Sequence, residues 1–331
     1  MTIKFLTKCG GDVGASFEYR PGYVFRRDAT CTAYDWLVVF DEMPADSVGT
    51  VVCGCERLAC PRECTMLLTW EPVSVKDYSR GYTRQFGHLL TNRPPEAEEH
   101  PHYHLGRGYY YWLNGRDYEE NATTVIPPKT KLISAVCSSK RMRFTAHDAR
   151  FRLISHLAGT IPDLAWFGRG VRPLEKKYEA LDAYRYHVAV ENHIGVHHWS
   201  EKIADALLCE CLPFYAGDPD LGHVLPPESF IPIPIDDPGE AERIIRDAIA
   251  TDQYAKRREA VLEAKRLLLT RYNLWQQIID VIESERDQMI APIDVRHPAC
   301  LYNRKTLRRR EPATALGDGL RHLARYFRGA R

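Results

Sequence analysis

Net charge, long apolar runs and paired cysteine hooks are all scarce in this chain of 331 residues. Its 45 lysines and arginines stand against 44 aspartates and glutamates, a formal charge of +1, so the molecule as a whole is not built to hold nucleic acid. No apolar run reaches membrane-spanning length, and Met1-Thr2-Ile3-Lys4-Phe5-Leu6 leads straight into what reads as a strand. Neither a secretory signal nor an anchor is legible there, and a cytoplasmic location is the expectation. Of the 10 cysteines, Cys53, Cys55, Cys60 and Cys64 cluster, but their intervals do not form two CxxC hooks and no histidine lies near them in sequence. They read as small thiols of a reducing compartment, without disulfides; a zinc-dependent nucleic-acid module stays a remote alternative.

What the chain does contain is organised around the stretch from Tyr186 to Ile249. An apolar run, His187-Val188-Ala189-Val190, stops at Glu191-Asn192, and a polar loop with Gly195, His197 and His198 follows. Ser200 stands where a helix is capped, and Ile203, Ala206 and Leu207 recur at helical spacing through Cys209. Leu212-Pro213-Phe214-Tyr215 then reads as a buried strand. Strand, loop, helix N-terminus and strand is the arrangement in which α/β proteins hold phosphates, because unpaired backbone N–H groups and the helix dipole meet an anion there. Cations ordinarily suit the other end of a helix, so Lys202 in the first turn reads as a side chain that neutralises a bound anion.

Four blocks in this region carry a resemblance. Val190-Glu191-Asn192, then Ser200-Glu201-Lys202-Ile203-Ala204-Asp205-Ala206, then Leu212-Pro213-Phe214-Tyr215-Ala216-Gly217-Asp218-Pro219, then Leu225-Pro226-Pro227-Glu228-Ser229-Phe230-Ile231 resemble in order and spacing the donor-domain signature of glycosyltransferase family 10, the α-1,3/1,4-fucosyltransferases. The resemblance implies a GT-B architecture, two Rossmann-like α/β domains facing each other across a cleft. It also implies an inverting, metal-independent enzyme that moves L-fucose from GDP-fucose to a glycan hydroxyl, with no cofactor beyond that co-substrate. The chain is similar to the shorter bacterial members rather than the membrane-anchored animal ones.

Carried over residue by residue, Arg150 and Lys202 match the family's two cations for the diphosphate, and Asn192 and Glu201 match its contacts to the donor. His198 stands where the family usually has Tyr, and an imidazole can replace a phenol as hydrogen-bond partner but can also charge. Ser200 replaces the usual Thr. Glu71, in Trp70-Glu71-Pro72, matches the family's Glu-x-Pro motif with one residue missing, and it follows an apolar run that ends, as buried parallel strands do, at the mouth of a cleft. Glu71 is the expected general base. The catalytic pair implied is thus Glu71 and Glu201, the donor-binding set is Arg150, Asn192, His198, Glu201 and Lys202, and no metal ligand is expected.

In chain order, residues 1–128 read as an acceptor-side Rossmann-like domain, with strands at Ile3 to Leu6, Trp36 to Phe40 and Met66 to Trp70. Tyr109-Tyr110-Tyr111-Trp112 is either a platform for acceptor sugars or a loop packed down by its own rings. Pro127-Pro128-Lys129 reads as the linker to a donor domain, residues 129–252, in which strands and helices alternate: Leu132 to Cys137, His147 to Leu157, Leu164 to Phe167, a short helix Leu174 to Leu181, then the central stretch and a helix from Glu240 to Ile249. Residues 253–288 read as two helical runs folding back across the domains. Residues 289–331 read as a basic amphipathic tail, with Arg304, Lys305, Arg308, Arg309 and Arg310 ahead of an apolar stripe of Leu316, Leu320, Leu323, Tyr326 and Phe327, suited to an anionic membrane surface. Two alternatives stay open: a GT-B transferase using another nucleotide sugar, and a catalytically silent glycan-binding relative.

Overall fold

The computed structural model describes residues 1–8, 16–72, 75–108, 111–140, 146–286, 299–313, 316–317 and 319–320. The chain forms two α/β units, one of residues 1–106 with 278–331 and the other of residues 107–277.

The first unit holds β1 (Thr2–Thr7), β2 (Phe17–Arg20), β3 (Tyr23–Arg26), β4 (Trp36–Phe40), β5 (Cys55–Arg57), β6 (Thr65–Thr69), β7 (His88–Thr91) and β8 (Tyr103–Leu105), with a short helix α1 (Arg80–Thr83). Seven of these strands form one sheet in the order β2-β3-β1-β4-β6-β7-β8, and every pairing in it is parallel except that of β2 with β3. β4, β6 and β7 are buried at every position, which is why they read as unbroken apolar runs rather than as alternating ones. Within this core Lys4 is fully buried and its charge is met by Glu56 at 2.8 Å, itself hydrogen-bonded by Tyr34 at 3.1 Å.

The second unit holds α2 (Tyr118–Thr123), β9 (Lys131–Val136), α3 (His147–Thr160), β10 (Leu164–Phe167), β11 (Tyr184–Val190), α4 (Glu201–Leu208), β12 (Leu212–Ala216), β13 (Ile231–Pro232), α5 (Pro238–Ala250), α6 (Gln253–Lys256) and α7 (Arg258–Thr270). The division between units falls inside the next helix, α8 (Leu274–Ser284). Its sheet runs β10-β9-β11-β12-β13 and is parallel throughout. Asp237 caps α5 by accepting from the Glu240 N–H at 3.0 Å, with Pro238 in the first turn. The short helix expected at Leu174 to Leu181 is reduced to one 3-10 turn, Lys177–Ala180.

Two expectations about organisation are corrected. Pro127-Pro128-Lys129 is not the linker: the boundary lies at Gly106, and residues 107–128 belong to the second unit. Hydrogen bonds fasten them there, from the Leu113 N–H to Asp205 at 3.0 Å, from Arg116 to Asp182 at 3.0 Å and from Lys129 to the Leu181 carbonyl at 3.1 Å. Nor is everything after residue 289 a tail. β14 (Cys300–Tyr302) pairs antiparallel with β5, and α9 (Arg304–Arg310) follows it, capped by Asn303 and anchored by buried Leu307. Leu316 and Leu320 beyond it are exposed, while Leu323, Tyr326 and Phe327 lie outside the described residues, as do Tyr109 and Tyr110. Among the described residues no helix is long and apolar enough to cross a membrane.

Candidate functional site

The strand order of the second unit selects a location before any side chain is considered. From β9 the chain passes through α3 to β10 on one side, then returns to place β11 on the other side of β9. The carboxyl ends of β9 and β11 therefore flank a topological switch point, where open parallel sheets leave a crevice for ligands. Cys137 follows β9 there, and Glu191 with Asn192 follows β11.

Around this point cationic groups gather. α3 has 14 residues, and its N-cap, Ala146, offers no side-chain acceptor to the first turn, whose N–H groups are left to other partners. The Asn192 carbonyl accepts from the Ala146 N–H at 3.0 Å, fastening the end of β11 to the start of α3. Arg150, in the first turns of α3, is 8% exposed, its charge acts on the Cys137 thiol, and its Nε has no hydrogen-bond partner among the described residues. His147 is held neutral, down to about 4, by burial and then by the charges of Arg150, Lys140 and Lys202. That these three cations act together on one ring records their convergence.

Lys202 is in this cluster, but its surroundings differ from those the sequence suggests. Its ammonium forms an ion pair with Glu191 at 3.1 Å and donates to Glu201 at 3.1 Å and to Ser200 Oγ at 3.0 Å, so its charge is met within the chain. Instead of projecting alone, Lys202 ties together two carboxylates. Glu191, which sequence reasoning passed over as a site residue, is the centre of this arrangement. Fully buried, it accepts from the Ser200 N–H at 2.9 Å and the Ser200 hydroxyl at 2.6 Å, and so holds the start of α4 against the end of β11. Gly217 is what admits it: a Cβ there would stand 2.7 Å from Glu191 Cγ and 2.1 Å from the Tyr215 hydroxyl. The sequence signal for Glu191 was its position, an acid ending an apolar strand nine residues before the cap it accepts from.

Glu201 opens α4 after Ser200, which caps the helix. Burial works to raise its pKa, but the charges of Lys202 and Lys177, with a hydrogen bond from Lys202 at 3.1 Å, outweigh burial and hold it at about 2. Lys177 continues the alternation of charge to Asp205, 2.8 Å away and fully buried. Asp205 faces the protein interior, where burial lifts it to about 6 against the pull of Lys177. His198 is also buried, with its ring 5.2 Å from that of His193, and burial brings it down to about 4. It works as a neutral hydrogen-bonding ring near pH 7, so the charging open to an exposed imidazole is suppressed.

Arg150, Asn192, His198, Glu201 and Lys202 therefore gather at one end of one sheet. Glu71 belongs to the first unit, two residues past β6, where its backbone carbonyl accepts from Arg93 Nε at 2.9 Å. Asp41 ends β4 at the same strand edge, with φ at 68° and its carboxylate 2.8 Å from Lys76. Arg93 is paired with Glu98, whose pKa burial raises.

Three further sequence features find their places. Trp112 stacks on Tyr118 at 6.0 Å and Tyr111 meets Trp275 edge-on at 6.2 Å, so this part of the aromatic run is packed into the second unit. The chain contains one Asp-x-Asp triplet, Asp218-Pro219-Asp220, which sequence reading passed over; Asp218 Oδ1 accepts from the Asp220 N–H at 2.9 Å, closing the triplet into a turn. The described cysteines carry free thiols and join no group of three or more metal-ligating residues.

No family model matches the chain, and no curated protein does. Among solved structures it is similar to an α1,3-fucosyltransferase with GDP-fucose at TM-score 0.46 and 15% identity, over 82% of this chain and 90% of that one. It is also similar to the sucrose-phosphate synthase of Thermosynechococcus elongatus, at TM-score 0.45 and 10% identity over 88% and 89% of the two chains. A glycosyltransferase from Rickettsia africae ESF-5 gives TM-score 0.43 and 10% identity over 77% of each.

Proposed function

We propose that this chain is an inverting glycosyltransferase that moves L-fucose from GDP-fucose to a glycan hydroxyl, using fixed cations rather than a metal to hold the departing diphosphate. The observation that carries the reading is the convergence, at the switch point of a parallel sheet, of the start of α3 with Arg150, His147 and Lys202. The four family-like sequence blocks supply the sugar and the nucleotide in this proposal.

The chemistry assigns each group a task. Arg150, with a buried Nε that no described residue occupies, meets the diphosphate together with the N–H groups of α3. At about 4 Å and an effective dielectric near 20, one such charge is worth roughly 4 kcal/mol of attraction to a phosphate charge before desolvation is subtracted. Lys202 adds its field and keeps Glu201 in place, and Glu201 accepts from ribose or sugar hydroxyls. Asn192 and neutral His198 complete the polar lining. Glu71 takes the proton of the attacking hydroxyl, and a single displacement inverts the anomeric carbon. In this proposal the enzyme works in the cytoplasm and touches an anionic membrane surface, a contact for which the exposed Leu316 and Leu320 after the basic α9 speak.

Thermal melts against GDP, UDP and CMP in excess EDTA test the donor, because a ligand that binds only the folded form raises its stability. GDP is expected to stabilise and the others are not. Stabilisation by UDP alone would sink the donor assignment and favour the second reading, another nucleotide sugar, for which the substitution of His198 at the family's Tyr position speaks. Transfer that strictly needs a divalent metal would overturn the mechanism. Glu71→Gln, which keeps shape but cannot take a proton, should lower turnover by about 10²- to 10⁴-fold with donor affinity nearly unchanged; unchanged turnover removes Glu71 as the base.

A further inference from the structure

We propose that His88, His104 and Glu285 of the first unit form a binding site for a divalent transition metal of the zinc class. His88 opens β7 and His104 is the middle residue of β8. These strands are parallel neighbours with Leu90 opposite His104, and His88, two residues before Leu90, points to the same face. Glu285 follows α8, where the chain has returned to the first unit.

The distances suit an ion. His88 Nδ1 lies 3.2 Å from His104 Nε2, and His104 Nε2 lies 3.8 Å from Glu285 Oε1. The three ligand atoms all fall within 4.8 Å of one another. A tetrahedral site with bonds near 2.0–2.1 Å separates its ligand atoms by about 3.4 Å, so small side-chain adjustments bring the set to bonding geometry. Two histidines and one carboxylate leave a coordination position open, and a cavity of about 310 Å³ lined by Arg62, His88, His102 and Glu285 provides room for water there.

The site is not the transfer site. His88 stands at the amino end of β7, whereas Asp41 and Glu71 follow the carboxyl ends of β4 and β6. A metal here would staple the returning segment at Glu285 onto β7 and the edge strand β8, a long closure between residues 88 and 285. Its effect is therefore on the stability of the first unit.

Untagged full-length protein, stripped with a chelator, is titrated with Zn²⁺ against a chromophoric zinc indicator and separately with Co²⁺. One stoichiometric Zn²⁺ site that raises the melting temperature is expected, with cobalt showing weak visible bands and no sulfur charge-transfer band. His104→Asn abolishes the site, and Glu285→Gln, outside the sheet and so decisive if the histidine variant fails to fold, weakens it by at least about tenfold. Zn²⁺ affinity unchanged in Glu285→Gln, a sulfur-to-cobalt band marking the cysteines instead, or no stoichiometric binding, which would leave the histidines as a simple hydrogen-bonded pair, each overturns the proposal.

Discussion

Replacing Lys202 by Met tests whether the lysine is a tie between carboxylates. The side chain keeps its apolar stem and loses the ammonium that stands 3.1 Å from Glu191. Glu191 is 0% exposed, and without Lys202 its charge is met among the described residues only by the N–H and hydroxyl of Ser200. Breaking a buried pair by removing one partner costs about 3–5 kcal/mol, and because Lys202 is itself 21% exposed the lower end applies, about 3 kcal/mol. For a unit of this size that corresponds to a fall of about 6–12 °C in Tm. The assay is urea unfolding followed by far-UV circular dichroism, read as a change in midpoint with constant slope. Adding Glu191→Gln to the same chain removes the stranded charge, its carbonyl still accepting from the Ser200 N–H and its amide donating to the hydroxyl. The double variant should recover at least about 1.5 kcal/mol of the loss, a coupling well above the scatter of independent sites. A Lys202→Met loss below about 1 kcal/mol, or no recovery in the double variant, refutes the argument that Glu191 depends on Lys202.

Because Lys202 carries structure, Arg150 is the cleaner probe of anion binding: Arg150→Gln should weaken GDP by about 10- to 100-fold, read by calorimetry, while the melting temperature without nucleotide falls by less than about 5 °C. Burial depresses His187 to about 3 and His198 to about 4, so the unfolded chain binds protons that the folded one does not below an ordinary histidine pKa near 6.5; their stabilisation is complete above that pH and is lost on acidification, about 2 kcal/mol for each by pH 5, and a melting temperature flat from pH 7 to pH 5 would contradict it. Truncation after Glu311 should leave the melting temperature unchanged and abolish salt-sensitive binding to anionic vesicles, whereas truncation before Cys300 removes β14 and α9 and should lower the melting temperature by several degrees.

The parts of this fold that could be read from sequence were those whose burial is complete. β4 falls on the apolar run Trp36 to Phe40 and β12 on the run that starts at Leu212, because a strand covered on both faces needs an unbroken run. The short strands β2, β3 and β8 and the pair β5 and β14 were not legible, since β2, β3 and β8 are only partly covered and β5 meets in β14 a partner far along the chain. The linker was misplaced for a similar reason: Pro127-Pro128 reads locally as a break, but Arg116 and Lys129 reach partners more than 50 residues away. At the site, Ser200 as a cap and the gathering of Arg150 with Lys202 followed from spacing and resemblance, while the dependence of Lys202 on Glu191 is a tertiary contact between a strand end and a helix start. The pair His88 and His104 has no local motif at all, because its spacing is set by the register of two parallel strands.

In the proposed mechanism the charges at the switch point also divide the labour between the two glutamates first considered together as catalytic. Glu201, held at about 2, is ionised throughout the working range and is a weak base there, since proton-transfer efficiency is greatest when a group's pKa lies near the operating pH. What a permanently ionised carboxylate does well is accept hydrogen bonds from hydroxyls, and Lys202 fixes its direction for that task. Removing a proton from an acceptor therefore falls to another group, and in the proposed mechanism it falls to Glu71 at a strand end of the other unit. Glu201→Gln and Glu71→Gln should then separate in kinetics: the first raises the KM for the nucleotide sugar, the second lowers kcat. If Glu201→Gln instead lowers kcat by the 10²-fold or more expected of a lost base, with KM unchanged, the division of roles argued from its charge is wrong.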